Sequence, residues 1–202
     1  MASTPECVIL ASASTARAAL LRAAGVEFTV EPATIDEAPR KRQARANGNS
    51  PIECAAALAA AKALWISQRH PAALVIGADQ ILAADSEWFD KPADQAEARA
   101  QLQRLRGRTH ILATAACAMR AGVPIWRASS APEMTMRQFS DAFIEAYIAA
   151  EGDALLGTVG GYRLEGRGVQ LFSRISGDHF AVLGLPLLKL LDFLRERGAL
   201  LG

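Results

Sequence analysis

The residues that could carry chemistry in this chain are dispersed, each at the edge of an apolar or helix-forming stretch: Ser12, Ser14 and Arg17; Glu37; Lys62; Asp79 and Gln80; Lys91; Glu165. Together they offer what polyphosphate hydrolysis needs, namely cations against phosphate oxygens, carboxylates for a hard metal ion, and a group to position or deprotonate water. Ser12 and Ser14 lie where an apolar run gives way to an alanine- and leucine-rich stretch. Their hydroxyls and the free N–H groups of a helix start could face an anion, with Arg17 forking onto two phosphate oxygens. Lys91 precedes Pro92, which favours an extended backbone and a directed cation.

Taken singly, each residue has a plainer reading. A serine here can simply cap the helix, with Arg17 solvated. Asp79 can be a turn aspartate after a buried strand rather than a carboxylate fixed at a cleft edge. Glu37 and Glu165 can be surface acids, and Lys62, among alanines and a leucine, can be a snorkelling lysine.

The elements that would position these residues alternate. Residues 7–11 form a short buried strand, residues 16–24 a helix closed by Gly25, and residues 26–35 a strand ending in Asp36-Glu37. Residues 38–49, polar and basic, read as a loop. Ser50-Pro51-Ile52-Glu53 is a helix start with a capping box, and the helix runs to about Arg69. Leu74-Val75-Ile76 is a buried strand leading through Gly77-Ala78-Asp79-Gln80 to Ile81-Leu82. A hairpin turn at Asp85-Ser86 follows, with Trp88-Phe89 on its return arm. Asp94 and Glu97 open a helix that stops at Gly107, and 108–119 with 123–137 read as one long hairpin. Ser140 opens a helix to about Ala150. The segment from Gly152 to Gly168 holds six glycines and implies tight turns. A last strand spans Leu171 to Ile175 and a last amphipathic helix Pro186 to Arg197. The pattern is an α/β protein with a mixed sheet, and 202 residues suit one domain over 1–202.

With a net charge of +1, the chain lacks the basic excess that wrapping a nucleic-acid backbone demands, so a nucleotide partner is expected to be a small molecule. Cys7, Cys54 and Cys117 form no CxxC pair, which argues against a disulfide framework or zinc site and suggests a reducing cytoplasm. No apolar stretch approaches membrane-spanning length, so no membrane is expected. His70, His110 and His179 have neither ligand nor triad spacing. Gly157-Thr158-Val159-Gly160-Gly161 is not followed by the lysine of a P-loop.

In order, Leu10-Ala11-Ser12-Ala13-Ser14-Thr15-Ala16-Arg17, Ile35-Asp36-Glu37, Leu58-Ala59-Ala60-Ala61-Lys62-Ala63, Ile76-Gly77-Ala78-Asp79-Gln80, Asp90-Lys91-Pro92, the run from Leu105 to His110 and the run from Val182 to Leu187 resemble the motifs of the Maf family of nucleotide pyrophosphatases, over nearly the whole chain. The resemblance implies an elongated mixed β-sheet flanked by helices, in two lobes around a central cleft, and a homodimer. It also implies Mg²⁺- or Mn²⁺-dependent attack of water on the α-phosphorus of a nucleoside triphosphate, releasing the monophosphate and pyrophosphate. By position, Ser12, Arg17, Lys62 and Lys91 would grip phosphates, Glu37 and Asp79 would serve the metal, and Asp79 would orient or deprotonate the water.

Two departures stand out. Thr15 and Ala16 replace the family's usual proline and a larger arginine or tryptophan. Gln80 and Glu165 stand where the branch acting on dTTP and UTP has threonine and glutamine, and resemble the 7-methyl-GTP branch. A carboxylate at Glu165 could accept from the ring N–H and exocyclic amine of guanine, whereas pyrimidine carbonyls would repel it. The competing expectation is a non-catalytic, nucleotide-binding regulator of cell division.

Overall fold

The computed structural model describes residues 6–201. Its framework is one eight-stranded mixed sheet built on two long antiparallel strands, β3 (Leu74–Ala84) and β5 (Thr109–Arg120). Both are buried almost throughout, which suits their runs of alanine and aliphatic residues. On the free edge of β3, β1 (Val8–Leu10) pairs in parallel with Leu74 to Ile76, and β4 (Glu87–Phe89) pairs antiparallel with Leu82 to Ala84. Residues 77–81 lie between them with no strand neighbour on that edge among the described residues. Beyond β1 lies β2, which is only Thr29–Val30.

On the far edge of β5, β6 (Val123–Ser130) and β7 (Glu133–Met136) pair with different stretches, and β8 (Phe172–Ser176) adds to β7. The expected hairpin is therefore real but its return arm is broken at Ala131-Pro132, where proline cannot donate to a ladder. At Ile81 and Ala113 the sheet narrows to β3 and β5 alone.

Strand alternation sorts the core. The odd-numbered side chains of β3, Val75 and Ile81, pack with α3 (Pro51–Ser67), which also buries Cys54, Leu58 and Ile66. On the other face, Leu74, Ile76 and Ala78 pack with α1 (Thr15–Ala23) and α7 (Leu187–Glu196). Further along that face, Leu82 and Ala84 pack with α4 (Gln95–Leu105) and α5 (Asp141–Glu151). Between these two clusters Gln80 and Thr114, register partners across β3 and β5, form a polar seam. It is closed by the one-turn helix α6 (His179–Val182), whose Ala181 carbonyl accepts from both side chains.

Local sequence explains most helix ends. Ser14, Ser50, Asp94 and Ser140 all accept a bond from the backbone N–H three residues on, and Ser50 with Glu53 forms the full capping box. Residues 38–49 correct the sequence reading: they are mostly a helix, α2 (Glu37–Ala46), capped by Asp36 and ended before Gly48 at φ +73°. None of its residues is buried, so it shows no apolar stripe. It is fastened instead by Lys41 on Asp90, at 2.7 Å, and by Arg45 over the Trp88 ring. The strand expected over 26–35 shrinks to two residues. The glycine-rich segment folds as three short 3₁₀ turns at 152–157, 159–161 and 167–171.

One buried histidine ties that segment to the sheet. His110 of β5 is 2% exposed, and its Nε2 lies 2.7 Å from the Tyr162 hydroxyl. Burial pushes its pKa down to about 4. In the unfolded chain the ring binds a proton at the ordinary value near 6.5, so the neutral ring's contribution is complete above that pH and is lost as pH falls towards 4. We expect about 3 kcal/mol to disappear across that window on this account. Urea unfolding of wild type and His110→Phe from pH 7 to 4 checks it: the variant should show the flatter profile, and parallel profiles refute the assignment.

Candidate active site

The unpaired stretch of β3 opens onto a cleft of about 960 Å³. Of the nine residues singled out from sequence, Ser14, Arg17, Glu37, Lys62, Asp79, Gln80, Lys91 and Glu165 line it. Ser12 is not among the lining residues but is bonded to one of them, its Oγ accepting from Arg17 Nη1 at 3.0 Å.

Asp79 sits in mid-strand, not after the strand as the sequence suggests, on the face covered by α3 and beside the gap in the sheet edge. It is 5% exposed. Its Oδ1 accepts from Lys62 Nζ at 2.5 Å, while its buried Oδ2 has no hydrogen-bond partner among the described residues. Such an atom is costly to leave unused, which marks it as one kept for something else. Lys62 also stands 2.7 Å from Glu37 Oε1, so it bridges two carboxylates rather than snorkelling. Burial would raise the Glu37 pKa, but the Lys62 hydrogen bond and the charges of Lys62, Lys41 and Lys91 outweigh it and hold the carboxyl below its usual range.

Gly77 makes the Lys62 contact possible. A Cβ there would stand 2.2 Å from the Ala59 carbonyl oxygen and 2.8 Å from the Ala63 amide nitrogen, so only glycine lets α3 lie this close.

The first turn of α1 supplies the other wall. Ser12 Oγ accepts from Ser14 N–H and from Arg17, which uses both lone pairs and leaves its O–H to donate. Arg17 Nε donates to the Gly184 carbonyl at 2.7 Å, so the guanidinium is fixed with Nη2 uncommitted among the described residues. Burial lowers the Arg17 pKa, opposed by the charges of Asp79 and Glu37. Ala16 lines the cleft with no side chain beyond a methyl.

At the other end, Gln80 Nε2 donates to Thr114 Oγ1, the Ala181 carbonyl and the Val182 carbonyl at 2.8, 2.8 and 3.2 Å. Its amide nitrogen is thus committed to the seam, and its carbonyl is what remains for a ligand. Glu165 is exposed on the wall, its Oε1 3.7 Å from Arg163 Nε. Lys41, Arg42, Arg45 and Asp90 also line the cleft, and sequence reasoning missed all four. A signal was present: Asp36 as cap, Glu37 and Lys41 four apart, and Asn47-Gly48 as a stop spell a polar helix.

The carboxylates suit a hard divalent cation. Among the described residues no three His, Cys, Asp or Glu side chains cluster as a metal cage, and Mg²⁺ is commonly bound by one or two carboxylates with the remaining oxygens from substrate phosphates. Glu37 Oε1 and Asp79 Oδ1, both now held by Lys62, could supply two carboxylate oxygens to that arrangement and leave Asp79 Oδ2 free for water.

A family model described as Maf-like protein matches residues 7–197. The chain belongs to the Maf family. Among its Maf relatives, the nucleoside triphosphate pyrophosphatase of Paramagnetospirillum magneticum is 51% identical over 192 residues, covering 95% of this chain and 99% of the relative. That of Granulibacter bethesdensis is 50% identical, covering 96% of this chain and 98% of the relative. The 7-methyl-GTP pyrophosphatase of Brucella abortus biovar 1 is 45% identical, with 96% and 98% covered. Six of the seven Maf motifs read from sequence thus contribute residues to one cleft, while the run from Leu105 to His110 does not. No helix among the described residues is long and apolar enough to cross a membrane, and all three cysteines are free.

Proposed function

We propose that this protein is a metal-dependent nucleoside triphosphate pyrophosphatase, folded as one domain and acting in the cytoplasm as a homodimer, with no nucleic-acid or membrane partner. The observation that carries the reading is Asp79: a buried carboxylate with one oxygen on Lys62 and the other unpartnered, at a cleft edge rich in phosphate-binding groups.

The triphosphate lies between the first turn of α1 and Lys91. The Ser12 hydroxyl, the Arg17 Nη2 group, Lys62 and Lys91 bind its oxygens. Asp79 Oδ2 accepts a proton from the attacking water as the water oxygen bonds the α-phosphorus. The bond from that phosphorus to the bridging oxygen breaks, and pyrophosphate leaves with the electron pair. A Mg²⁺ or Mn²⁺ ion held by Glu37 and Asp79 together with phosphate oxygens would neutralise charge developing on the transferred group. Arg17, fixed by Ser12 and Gly184, needs no reorganisation to donate.

For the base, Glu165 favours guanine over pyrimidines, and a cationic 7-methylguanine most. The name of the Brucella relative agrees with this lean, while the relatives of higher identity carry the broader name. The test is pyrophosphate release from canonical triphosphates and 7-methyl-GTP with Mg²⁺ or Mn²⁺. Release from none of them, with tight binding retained, would favour the regulator instead. Glu165→Gln should lower kcat/KM for guanine-type substrates about tenfold, the value of roughly one charge-assisted hydrogen bond. An unchanged substrate ranking would remove Glu165 from base selection.

A further inference from the structure

Asp79, Lys62, Glu37, Lys41 and Asp90 form a continuous ladder of alternating charge along one wall of the cleft. Lys62 lies 2.5 Å from Asp79 and 2.7 Å from Glu37, and Lys41 lies 3.9 Å from Glu37 and 2.7 Å from Asp90. Both lysine side chains are largely buried, at 12% and 16% exposure, so water screens these pairs only partly. Arg17 adds a third cation whose charge acts on Asp79 and Glu37. With Lys91, which also acts on Glu37, no carboxylate of the ladder is left without a facing cation.

We infer that Lys62 and Lys41 are place-holding cations that keep the carboxylates neutralised until substrate arrives, so that a divalent metal enters this site together with the triphosphate rather than ahead of it. This rests on the metal-assisted reaction proposed above, and it brings Lys41 and Asp90 into the binding machinery. A free divalent ion approaching the wall gains little, because every carboxylate already has an ammonium at contact distance and the lysines would have to be displaced into the cleft with nothing to receive them. A triphosphate changes both sides of that balance. Its oxygens give the lysines a new partner, and the oxygens of Glu37 and Asp79 then face the ion. The order of binding is therefore set by the lysines, which move from carboxylate to phosphate as the metal takes their position. The same pairing prevents the lone carboxylates from repelling the incoming anion.

The opposite signs expected for the two ligands provide the test. Mn²⁺ is titrated into the full-length, nucleotide-free protein and followed by electron paramagnetic resonance, for wild type, Lys62→Met, Lys41→Met and Lys62→Arg. Removing one ammonium 2.5–3.9 Å from a carboxylate should tighten Mn²⁺ binding about tenfold or more. Lys62→Arg, which keeps the charge, should stay as weak as wild type. Binding of an α,β-methylene triphosphate without metal, measured by calorimetry, should weaken about tenfold in both methionine variants. If Lys→Met leaves Mn²⁺ affinity unchanged or lowers it, the place-holding role is overturned. Should Lys62→Met fail to fold, Lys41→Met on α2, which contributes no buried residue to the core, decides alone, with the same two outcomes. Neither measurement needs turnover, so a protein inactive on every triphosphate would end the catalytic proposal while leaving this titration readable.

Discussion

Asp79→Asn should lower the rate of pyrophosphate release about a thousandfold, within the range lost with a general base, or about 4 kcal/mol in the barrier. The substitution keeps the side-chain volume, and the amide oxygen can still accept from Lys62 Nζ, which now bonds Oδ1 at 2.5 Å. What disappears is the lone pair of Oδ2, the buried oxygen with no protein partner. An amide nitrogen in that place can donate but cannot take the proton of the attacking water. Substrate grip is built from Arg17, Lys62, Lys91 and Ser12, so KM should move far less than kcat, the signature of a group acting in the transition state. Steady-state release assays with Mg²⁺ or Mn²⁺, alongside thermal unfolding to show an intact fold, provide the measurement. A variant retaining more than a tenth of the wild-type rate would deny Asp79 the role of base.

Gly77→Ala should have the largest effect on stability. Overpacking a core usually costs 1–3 kcal/mol, but here the added carbon meets backbone rather than a side chain that can turn away. We expect a loss of about 3 kcal/mol or more, equivalent to a melting temperature about 10 °C lower for a chain of this size. The helix that must retreat carries Lys62, one turn beyond Ala59, so activity should fall even below the melting transition. Circular dichroism melts with release assays at 20 °C check both effects. A fully active variant melting within 2 °C of wild type would mean that α3 does not need its close seat on β3.

The order of most elements was legible in sequence because strong local signals fixed them. Ser50, Pro51 and Glu53 announce a helix start, and the apolar run at Leu74 announces a buried strand. The site was legible only as a sum, since nothing local distinguishes Lys62 from a surface lysine until β3 brings Asp79 beneath it. What escaped did so for physical reasons. Helix α2 has no buried apolar stripe and is held by polar contacts to residues more than 40 positions away, Lys41 on Asp90 and Arg45 on the Trp88 carbonyl, which periodicity does not register. The helical turn at His179–Val182 is too short to show a period. Sequence leaves Asp79 either a turn residue or a cleft-edge carboxylate because a carboxylate inside a buried strand is rare, and what permits it here is a strand edge without a neighbour among the described residues together with a lysine from the helix above.

That sheet edge has a mechanical consequence. The parts of the sheet on either side of the cleft are joined through β3 and β5, and at Ile81 and Ala113 those two strands stand alone. A two-stranded ribbon twists more freely than a wide sheet. The cleft therefore straddles the narrowest point of the sheet among the described residues, so its two walls keep their separation through one pair of strands alone.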